Sequence, residues 1–188
     1  MRVIGGVYRG RTLRTVADLS VRPATDRVRQ TIFDMLATRL DLEGALVLDL
    51  FAGSGSLGIE ALSRGAARAT FVESGGEAAA FITRNLRTLG CEGAAEVLET
   101  DALALLRPGS GPYDLVFADP PYAYPRTAEI PRLAFDAGLL RRGGFLLIEH
   151  PPTVVFPPGA SYAQGPVKKF GRTHVTFFTP SDRRMDAL

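Results

Sequence analysis

Short, almost continuously apolar runs alternate with helical patterns over most of the chain. The runs predict strands at residues 46–50, 69–73, 95–100, 113–118 and 144–149. The stretches between them predict helices at residues 56–64, 76–89, 102–107 and 127–140. Strands that are apolar on both faces and alternate with helices are typical of a parallel sheet covered on both sides. The pattern therefore predicts an α/β fold.

The beginning of the chain has a different pattern. Val3-Ile4 and Val7-Tyr8 are strand formers separated by two glycines, which predicts a small β-hairpin over residues 2–16. Thr25 or Asp26 can cap a helix that reaches about Leu40. The apolar positions spaced along one face of that helix are Val28, Ile32, Phe33, Leu36 and Leu40.

After the last apolar run, prolines interrupt the alternation. Tyr162-Ala163 and residues 174–179 then predict a terminal antiparallel pair of strands, giving seven strands in all. We therefore predict two parts: a hairpin arm over residues 1–24 and a main domain over residues 25–188.

Composition narrows the class of protein. With 188 residues, 46% hydrophobic and 22% charged, the chain is typical of a soluble globular protein. Its single cysteine, Cys91, excludes an internal disulfide and a cysteine-based metal cluster, and we expect no metal site. No apolar run approaches the length of a membrane span, and no signal sequence follows Met1. We expect a cytoplasmic protein that does not contact membranes.

Charge is concentrated at the start of the chain. The net charge is +2, but residues 1–30 carry seven arginines against two aspartates. A basic leader on a mildly acidic body suggests an arm that binds the phosphates of a nucleic acid. The alternative is a solvated surface in a chain that simply prefers arginine to lysine. The arginines are Arg2, Arg9, Arg11, Arg14, Arg22, Arg27 and Arg29.

The first strand is followed by a glycine loop. Gly53, Gly55 and Gly58 form a G-x-G-x-x-G pattern, and Glu73 follows Gly53 by 20 residues. This spacing is the fingerprint of dinucleotide-binding proteins, in which the acid holds a ribose. A dinucleotide-dependent oxidoreductase is therefore one candidate function.

Acidic residues at the strand ends argue against a dinucleotide. Asp49, Glu73, Asp101 and Asp119 all lie at or beside the carboxyl ends of predicted strands, which share one edge of a parallel sheet. Carboxylates there would repel a pyrophosphate. They suit S-adenosylmethionine, which carries a sulfonium and an ammonium group but no phosphate.

Roles for this cofactor follow from the order of the residues. Gly53 and Gly55 would let the backbone approach the cofactor, and Asp49 would reach its amino-acid end directly or through water. Glu73 would accept both ribose hydroxyls. The predicted adenine contacts are the Asp101 carboxylate and the Ala102 backbone N–H. Phe51 either packs beside the cofactor or belongs to the core.

The fourth strand ends in Asp119-Pro120-Pro121-Tyr122. Because proline has no N–H, two consecutive prolines stop a strand and stiffen the turn. The Asp119 carboxylate and the Pro120 carbonyl could accept the two N–H bonds of an exocyclic amine. Tyr122 could stack on the base that carries the amine. The motif therefore indicates methyl transfer to an amino group on a flat ring.

These residues resemble a known family. Residues 49–55, Glu73, Asp101 and residues 119–122 resemble motifs of class I methyltransferases that act on exocyclic amines. Residues 2–11, 22–29 and 57–64 are more specific. They resemble the bacterial small-subunit (16S) rRNA guanine-N2 methyltransferases of the RsmD type.

The resemblance implies a Rossmann-like class I methyltransferase fold, with a mostly parallel seven-stranded sheet and an antiparallel C-terminal strand. It also implies a monomer in the cytoplasm that methylates 16S rRNA in a partly assembled small subunit. The Asp-Pro-Pro-Tyr motif alone does not name the substrate, because methylases of adenine and of protein glutamine share it. A methylase of adenine, or of another exocyclic amine, therefore stays open as an alternative. A non-catalytic RNA-binding module is a weaker one, since it would not explain the motif.

Overall fold

The predicted alternation of strands and helices is confirmed, except that the helix predicted over residues 102–107 is a 3₁₀ turn (Ala102–Leu105). The computed structural model describes residues 1–15 and 26–181. The seven strands form a mixed, mostly parallel sheet, as predicted. The chain divides into two units, residues 1–102 and 103–188.

Within the described residues, the first unit contains three strands and three α-helices, and a 3₁₀ turn (Glu92–Ala94) precedes the third strand. In chain order these are α1 (Asp26–Ala37), β1 (Leu46–Leu50), α2 (Ser56–Ser63), β2 (Arg68–Glu73), α3 (Gly76–Leu89) and β3 (Ala95–Glu99). The strands lie in the order β3-β2-β1 and are all parallel. Their carboxyl ends therefore share one edge, so the residues that follow each strand lie near one another.

The predicted hairpin at the start of the chain is present, but its pairing is different. Arg2 and Thr12 form an antiparallel bridge, and the Val3 N–H donates to the Arg11 carbonyl at 2.9 Å. Val7-Tyr8 lies in the turn instead of in a strand. The reason is tertiary: the Val7 and Tyr8 N–H groups donate to the Ser63 carbonyl and to Ser63 Oγ, at 2.7 and 2.9 Å.

Helix α1 confirms most of the predicted apolar face. Its buried residues include Val28, Ile32, Phe33 and Leu36, but the helix ends at Ala37 and Leu40 is only half-buried. The predicted cap Thr25, the boundary between residues 24 and 25, and Arg22 lie outside the described residues.

The described part of the second unit, up to residue 181, contains four strands and one α-helix. They are β4 (Tyr113–Ala118), α4 (Ile130–Asp136), β5 (Leu140–His150), β6 (Tyr162–Phe170) and β7 (Thr173–Pro180), with the strands ordered β4-β5-β7-β6. β4 and β5 are parallel, and β7 is antiparallel to both β5 and β6. The predicted terminal antiparallel pair is confirmed, with β6 as the outermost strand.

Two of the element boundaries predicted for this unit were wrong. The helix predicted over residues 127–140 begins as a 3₁₀ turn (Thr127–Glu129) and ends at Asp136, because Gly138 takes a left-handed conformation with φ +68°. The chain then enters β5 at Leu140, four residues before the predicted start of that strand.

Candidate active site

The glycine loop after β1 has an unusual backbone. Phe51, Gly53 and Gly55 have φ values of +58°, +54° and +74°. This left-handed region is uncommon for a non-glycine residue and costs energy at the half-buried Phe51. A Cβ added to Gly53 would meet only the Phe51 carbonyl oxygen, 4.0 Å away. The loop is therefore open at Gly53, where a ligand can approach the backbone.

The other two glycines of the pattern serve packing. A Cβ on Gly55 would lie 3.2 Å from Ile82 and 3.3 Å from Phe71. A Cβ on Gly58 would lie only 2.4 Å from the ring of Phe71. Because Phe71 is fully buried in β2, Gly58 is what lets helix α2 lie this close to the sheet.

Glu73, at the end of β2, holds the open part of the loop. Its Oε2 accepts the Gly53 N–H at 2.8 Å, and its Oε1 accepts the Gly75 N–H at 2.7 Å. A carboxylate offers about four acceptor positions, so two remain for further donors such as a pair of ribose hydroxyls. This arrangement fits the predicted ribose contact.

Asp49, near the end of β1, is buried behind the same loop. Its Oδ2 accepts the Gly58 N–H at 2.9 Å. Burial raises the pKa of Asp49 to about 7, the Gly58 hydrogen bond opposes that shift, and the charge of Glu73 adds to it. A cationic ligand nearby would stabilise the ionised form. Two carboxyl groups thus brace one loop, as suits a cofactor that is positively charged and lacks phosphate.

The predicted adenine contacts follow β3 in the same unit. Asp101 is exposed and Ala102 is buried. The three predicted cofactor acids of this unit, Asp49, Glu73 and Asp101, therefore lie at or just beyond the ends of three adjacent parallel strands. No group of His, Cys, Asp and Glu residues suited to a metal ion occurs within residues 1–15 and 26–181.

The Asp119-Pro120-Pro121-Tyr122 turn follows β4 in the second unit. Asp119 is half-buried and Pro120 is buried, and the Pro121 carbonyl accepts the Tyr124 N–H at 2.7 Å. Tyr122 is 52% exposed, and its hydroxyl shares a hydrogen bond with Thr173 Oγ1. The ring is therefore held by its tip while much of its surface stays open to a base.

Sequence reasoning missed Glu149, near the end of β5. Its side chain is 8% exposed, and within the described residues its Oε2 has no hydrogen-bond partner. Burial raises its pKa to about 7. The sequence feature that could have indicated Glu149 is a single acid directly after the apolar run 145–148. Its neighbour His150 bonds Thr176 and the Pro151 carbonyl, which fits a structural role.

The arginines of the leader differ in exposure. Arg2, Arg9, Arg11, Arg14 and Arg27 are exposed. Arg29 is fully buried, and its Nη2 donates to the Arg2 carbonyl at 2.6 Å and to Asp26 Oδ1 at 2.8 Å. The prediction that Arg29 contacts RNA is wrong for this structure, because its guanidinium faces the protein.

A second basic group was also missed. Lys168 and Lys169, the only two lysines of the chain, lie on exposed positions of β6. Arg172 lies in the turn between β6 and β7, next to Thr173, whose hydroxyl holds Tyr122. The sequence analysis missed this hairpin because the chain after residue 30 is acidic on balance, which hides a local group of three basic residues.

Comparison with known proteins gives consistent matches. The family described as "Conserved hypothetical protein 95" matches residues 1–179. Ribosomal RNA small subunit methyltransferase D of Escherichia coli (strain K12) is 40% identical over 149 residues, which cover 79% of this chain and 74% of that protein. The Haemophilus influenzae protein of the same name is 37% identical over 152 residues, covering 79% of this chain and 78% of that one.

Solved structures agree on the fold. Escherichia coli yhhF is 36% identical, covers 96% of this chain and 97% of its own, and gives a TM-score of 0.84. An RNA methyltransferase from Salinibacter ruber, solved in complex with S-adenosyl-L-homocysteine, gives a TM-score of 0.64 over 88% of this chain and 98% of its own. At 17% identity, this second likeness shows the fold alone.

Proposed function

The chain belongs to the family described as conserved hypothetical protein 95, and from that premise we propose that it is an rRNA methyltransferase. It transfers a methyl group from S-adenosylmethionine to the exocyclic N2 amine of a guanine in 16S rRNA. Relatives named ribosomal RNA small subunit methyltransferase D support the reaction and the substrate class.

One observation carries the choice of cofactor. The glycine loop is braced by two carboxyl groups, Asp49 at Gly58 and Glu73 at Gly53. The pyrophosphate of a dinucleotide would meet both of these acids, which disfavours an oxidoreductase. S-adenosylmethionine, when bound, supplies a methyl group on a positively charged sulfur, and the acids suit that charge.

Different residues of the first unit contact different parts of the cofactor. Gly53 offers open backbone, and Glu73 has acceptor positions left for two ribose hydroxyls. Asp101 accepts from the adenine amine, and the Ala102 N–H donates to the ring. Asp49, which is buried and already bonded to Gly58, attracts the cationic amino-acid end through its charge or through a water molecule. Phe51 packs beside the cofactor.

The acceptor base is held by the turn after β4. The Asp119 carboxylate and the Pro120 carbonyl accept the two N–H bonds of the guanine N2 amine, which fixes the direction of the nitrogen lone pair. That positioning matters because the lone pair of an aromatic amine is otherwise delocalised into the ring. Asp119 also stabilises positive charge that develops on the nitrogen. Tyr122 stacks on the base, which must leave its surroundings to enter the site.

RNA is held by exposed basic side chains. In the leader these are Arg2, Arg9, Arg11, Arg14 and Arg27, together with Arg22, which lies outside the described residues. On the second unit, Lys168, Lys169 and Arg172 are exposed basic side chains, and Arg172 directly precedes Thr173, which bonds the base-stacking Tyr122. Residues 1–24 act as the RNA-binding arm of a methyltransferase domain formed by residues 25–188.

The resemblance described above supports the finer parts of the proposal. The substrate is 16S rRNA within a partly assembled small subunit, and the protein acts as a monomer in the cytoplasm. Helices of the described part of the chain are all too short or too polar to cross a membrane.

Asp119→Ala tests the reaction. We expect it to abolish methyl transfer, while calorimetry gives an affinity for S-adenosylmethionine within a few fold of wild type. Asp136→Ala, an exposed aspartate of the same unit, is the matched control and should keep wild-type turnover. Unchanged turnover in Asp119→Ala would remove this carboxylate from the reaction.

The product tests the acceptor. Nucleosides of 16S rRNA from cells that lack the protein should lose one N2-methylguanosine in mass spectrometry. Loss of a methyladenosine instead would overturn the choice of guanine.

A further inference from the structure

We propose that Glu149 accepts the N1–H of the guanine whose N2 amine is methylated, and so makes the site specific for guanine over adenine. The inference rests on the proposed function and adds a residue that reads the identity of the base. It follows from the position of Glu149 in the sheet, from its unpaired oxygen, and from the hydrogen bond that holds Tyr122.

The register of β4 and β5 places Glu149 beside Asp119. These strands are parallel, and Ala118 pairs with Ile148. Glu149 follows Ile148 on β5, and Asp119 directly follows the last residue of β4. Neighbouring strands lie about 4.8 Å apart. The register therefore brings two carboxyl-bearing residues to the same level at the carboxyl end of this unit's strands.

The Glu149 side chain has an acceptor oxygen that lacks a hydrogen-bond donor in the described part of the chain. It is nine-tenths buried, and Oε2 finds no hydrogen-bond partner within residues 1–15 and 26–181. Buried polar atoms in folded proteins nearly always have a partner, because an unpaired one costs free energy. A ligand that brings an N–H to this oxygen would supply the missing bond. The raised pKa of Glu149 is the expected result of this burial.

Tyr122, the residue proposed to stack on the base, is held on the same face of the sheet as Glu149. Its hydroxyl bonds Thr173, which lies two residues before Val175 on β7, and Val175 is the register partner of Glu149. Residues two apart on a strand share a face, so Thr173 and Val175 lie on the face that also carries Glu149. The ring that would stack on the base is therefore tethered to the face of the sheet that carries Glu149.

Guanine matches this pair of acids. Its N1–H and N2 amine are adjacent donors on one edge, as Asp119 and Glu149 are adjacent acceptors. Adenine carries an acceptor at N1, which an ionised Glu149 would repel. Sites built around a buried hydrogen bond reject analogues that lack the matching group far more strongly than apolar pockets can.

The base 2-aminopurine provides the test, because it keeps the N2 amine but has an acceptor at N1. After the methylated guanine has been mapped, single-turnover rates at about pH 8 are compared for RNA with guanine or 2-aminopurine there. We expect wild type to prefer guanine at least about tenfold, the effect of one well-placed hydrogen bond. Glu149→Gln can both accept and donate, so its preference should fall to within about threefold. The control Glu96→Gln, at an exposed position of β3, should keep the wild-type preference.

The outcomes separate the two proposals. A wild-type preference retained by Glu149→Gln, or a wild type that methylates both bases equally, overturns the role of Glu149 and leaves guanine methylation intact. Failure of wild type to methylate any rRNA guanine would instead overturn the proposed function. Thermal unfolding shows whether Glu149→Gln is folded, and if it is not, the wild-type comparison of the two bases decides alone.

Discussion

Glu60 accepts the backbone N–H of Gly5 at 2.8 Å, across 55 residues of sequence. The other oxygen of this carboxylate, Oε2, accepts the Ile4 N–H at 2.8 Å. Arg64 Nε, from the next turn of α2, donates at 2.8 Å to Oε1, the oxygen that also accepts the Gly5 N–H. Glu60 is buried in the helix that follows the glycine loop. The basic leader is thus joined to the same helix that forms one side of the proposed cofactor site.

Glu60→Gln should weaken the hydrogen-bonded connection between the leader and helix α2. A glutamine amide has one oxygen, so its NH₂ group would face a backbone N–H that then has no acceptor. We expect the free energy of unfolding to fall by about 1–3 kcal/mol in urea titrations. The exposed Glu96→Gln is the matched control and should stay within about 0.5 kcal/mol of wild type. Equal stability of both variants would contradict the role of Glu60.

Gly58→Ala tests whether packing, and not the cofactor, requires the third glycine of the loop. Alanine favours helix by about 1 kcal/mol over glycine, but its Cβ would lie 2.4 Å from the buried Phe71 ring. We expect the clash to dominate, with a net loss of about 1–3 kcal/mol in thermal or urea unfolding. Gly93→Ala, where no atom lies within 4 Å of the added Cβ, should be neutral or stabilising. Equal effects would show that the contact at Phe71 is not limiting.

Asp49 should make stability depend on pH. Burial raises its folded-state pKa from 3.8 to about 7, so the proton leaves the unfolded chain first as the pH rises. Its stabilising contribution is therefore full below about pH 4 and is lost as the pH rises through about 7. Asp49→Asn can still accept the Gly58 N–H, so its free energy of unfolding should gain a few kcal/mol on that of wild type as the pH rises from about 4 to about 7.

Urea unfolding at several pH values measures this gain. Asp34→Asn, at an exposed position of α1, is the matched control for the substitution itself. If the curves for Asp49→Asn and wild type ran parallel, burial of an ionisable Asp49 would be contradicted.

Arg27 and Arg29 give a matched pair on one helix. Arg27→Ala removes an exposed cation. The slope of log binding constant for 16S rRNA against log salt concentration should therefore become shallower by about one. The free energy of unfolding should not change. Arg29→Ala removes a buried side chain and the partner of Asp26, so unfolding free energy should fall by roughly 2–5 kcal/mol. A slope that is unchanged in Arg27→Ala would take this residue out of the RNA surface.

Much of the fold could be predicted because its signals are local. The strands were identifiable because burial on both faces requires unbroken apolar runs, and β1 and β4 have the predicted bounds. Helix α3 also matches, since Gly90 ends it in a left-handed turn. The shared edge of Asp49, Glu73 and Asp101 could be predicted for a related reason, because the carboxyl ends of adjacent parallel strands lie at one edge of a sheet.

The errors concern contacts between distant parts of the chain. Val7-Tyr8 has strand propensity, but bonds to Ser63 hold it in a turn. The sequence predicts Arg29 to be an exposed cation like its neighbours. In the structure, α1 packs against the leader and buries this side chain. Glu149 ends an apolar run, and its significance depends on the register that places it beside Asp119. Sequence spacing alone carries none of this information.

The outermost strand β6 has a further consequence for the behaviour of the protein in solution. An exposed strand edge can recruit the edge of another molecule and start aggregation. Here Pro166 removes a donor, the register shifts between Gln164 and Val167, and Lys168 and Lys169 add charge. The ammonium groups to which the proposed function assigns RNA binding also repel a second copy of the sheet, so under that proposal the same two side chains serve solubility and substrate affinity.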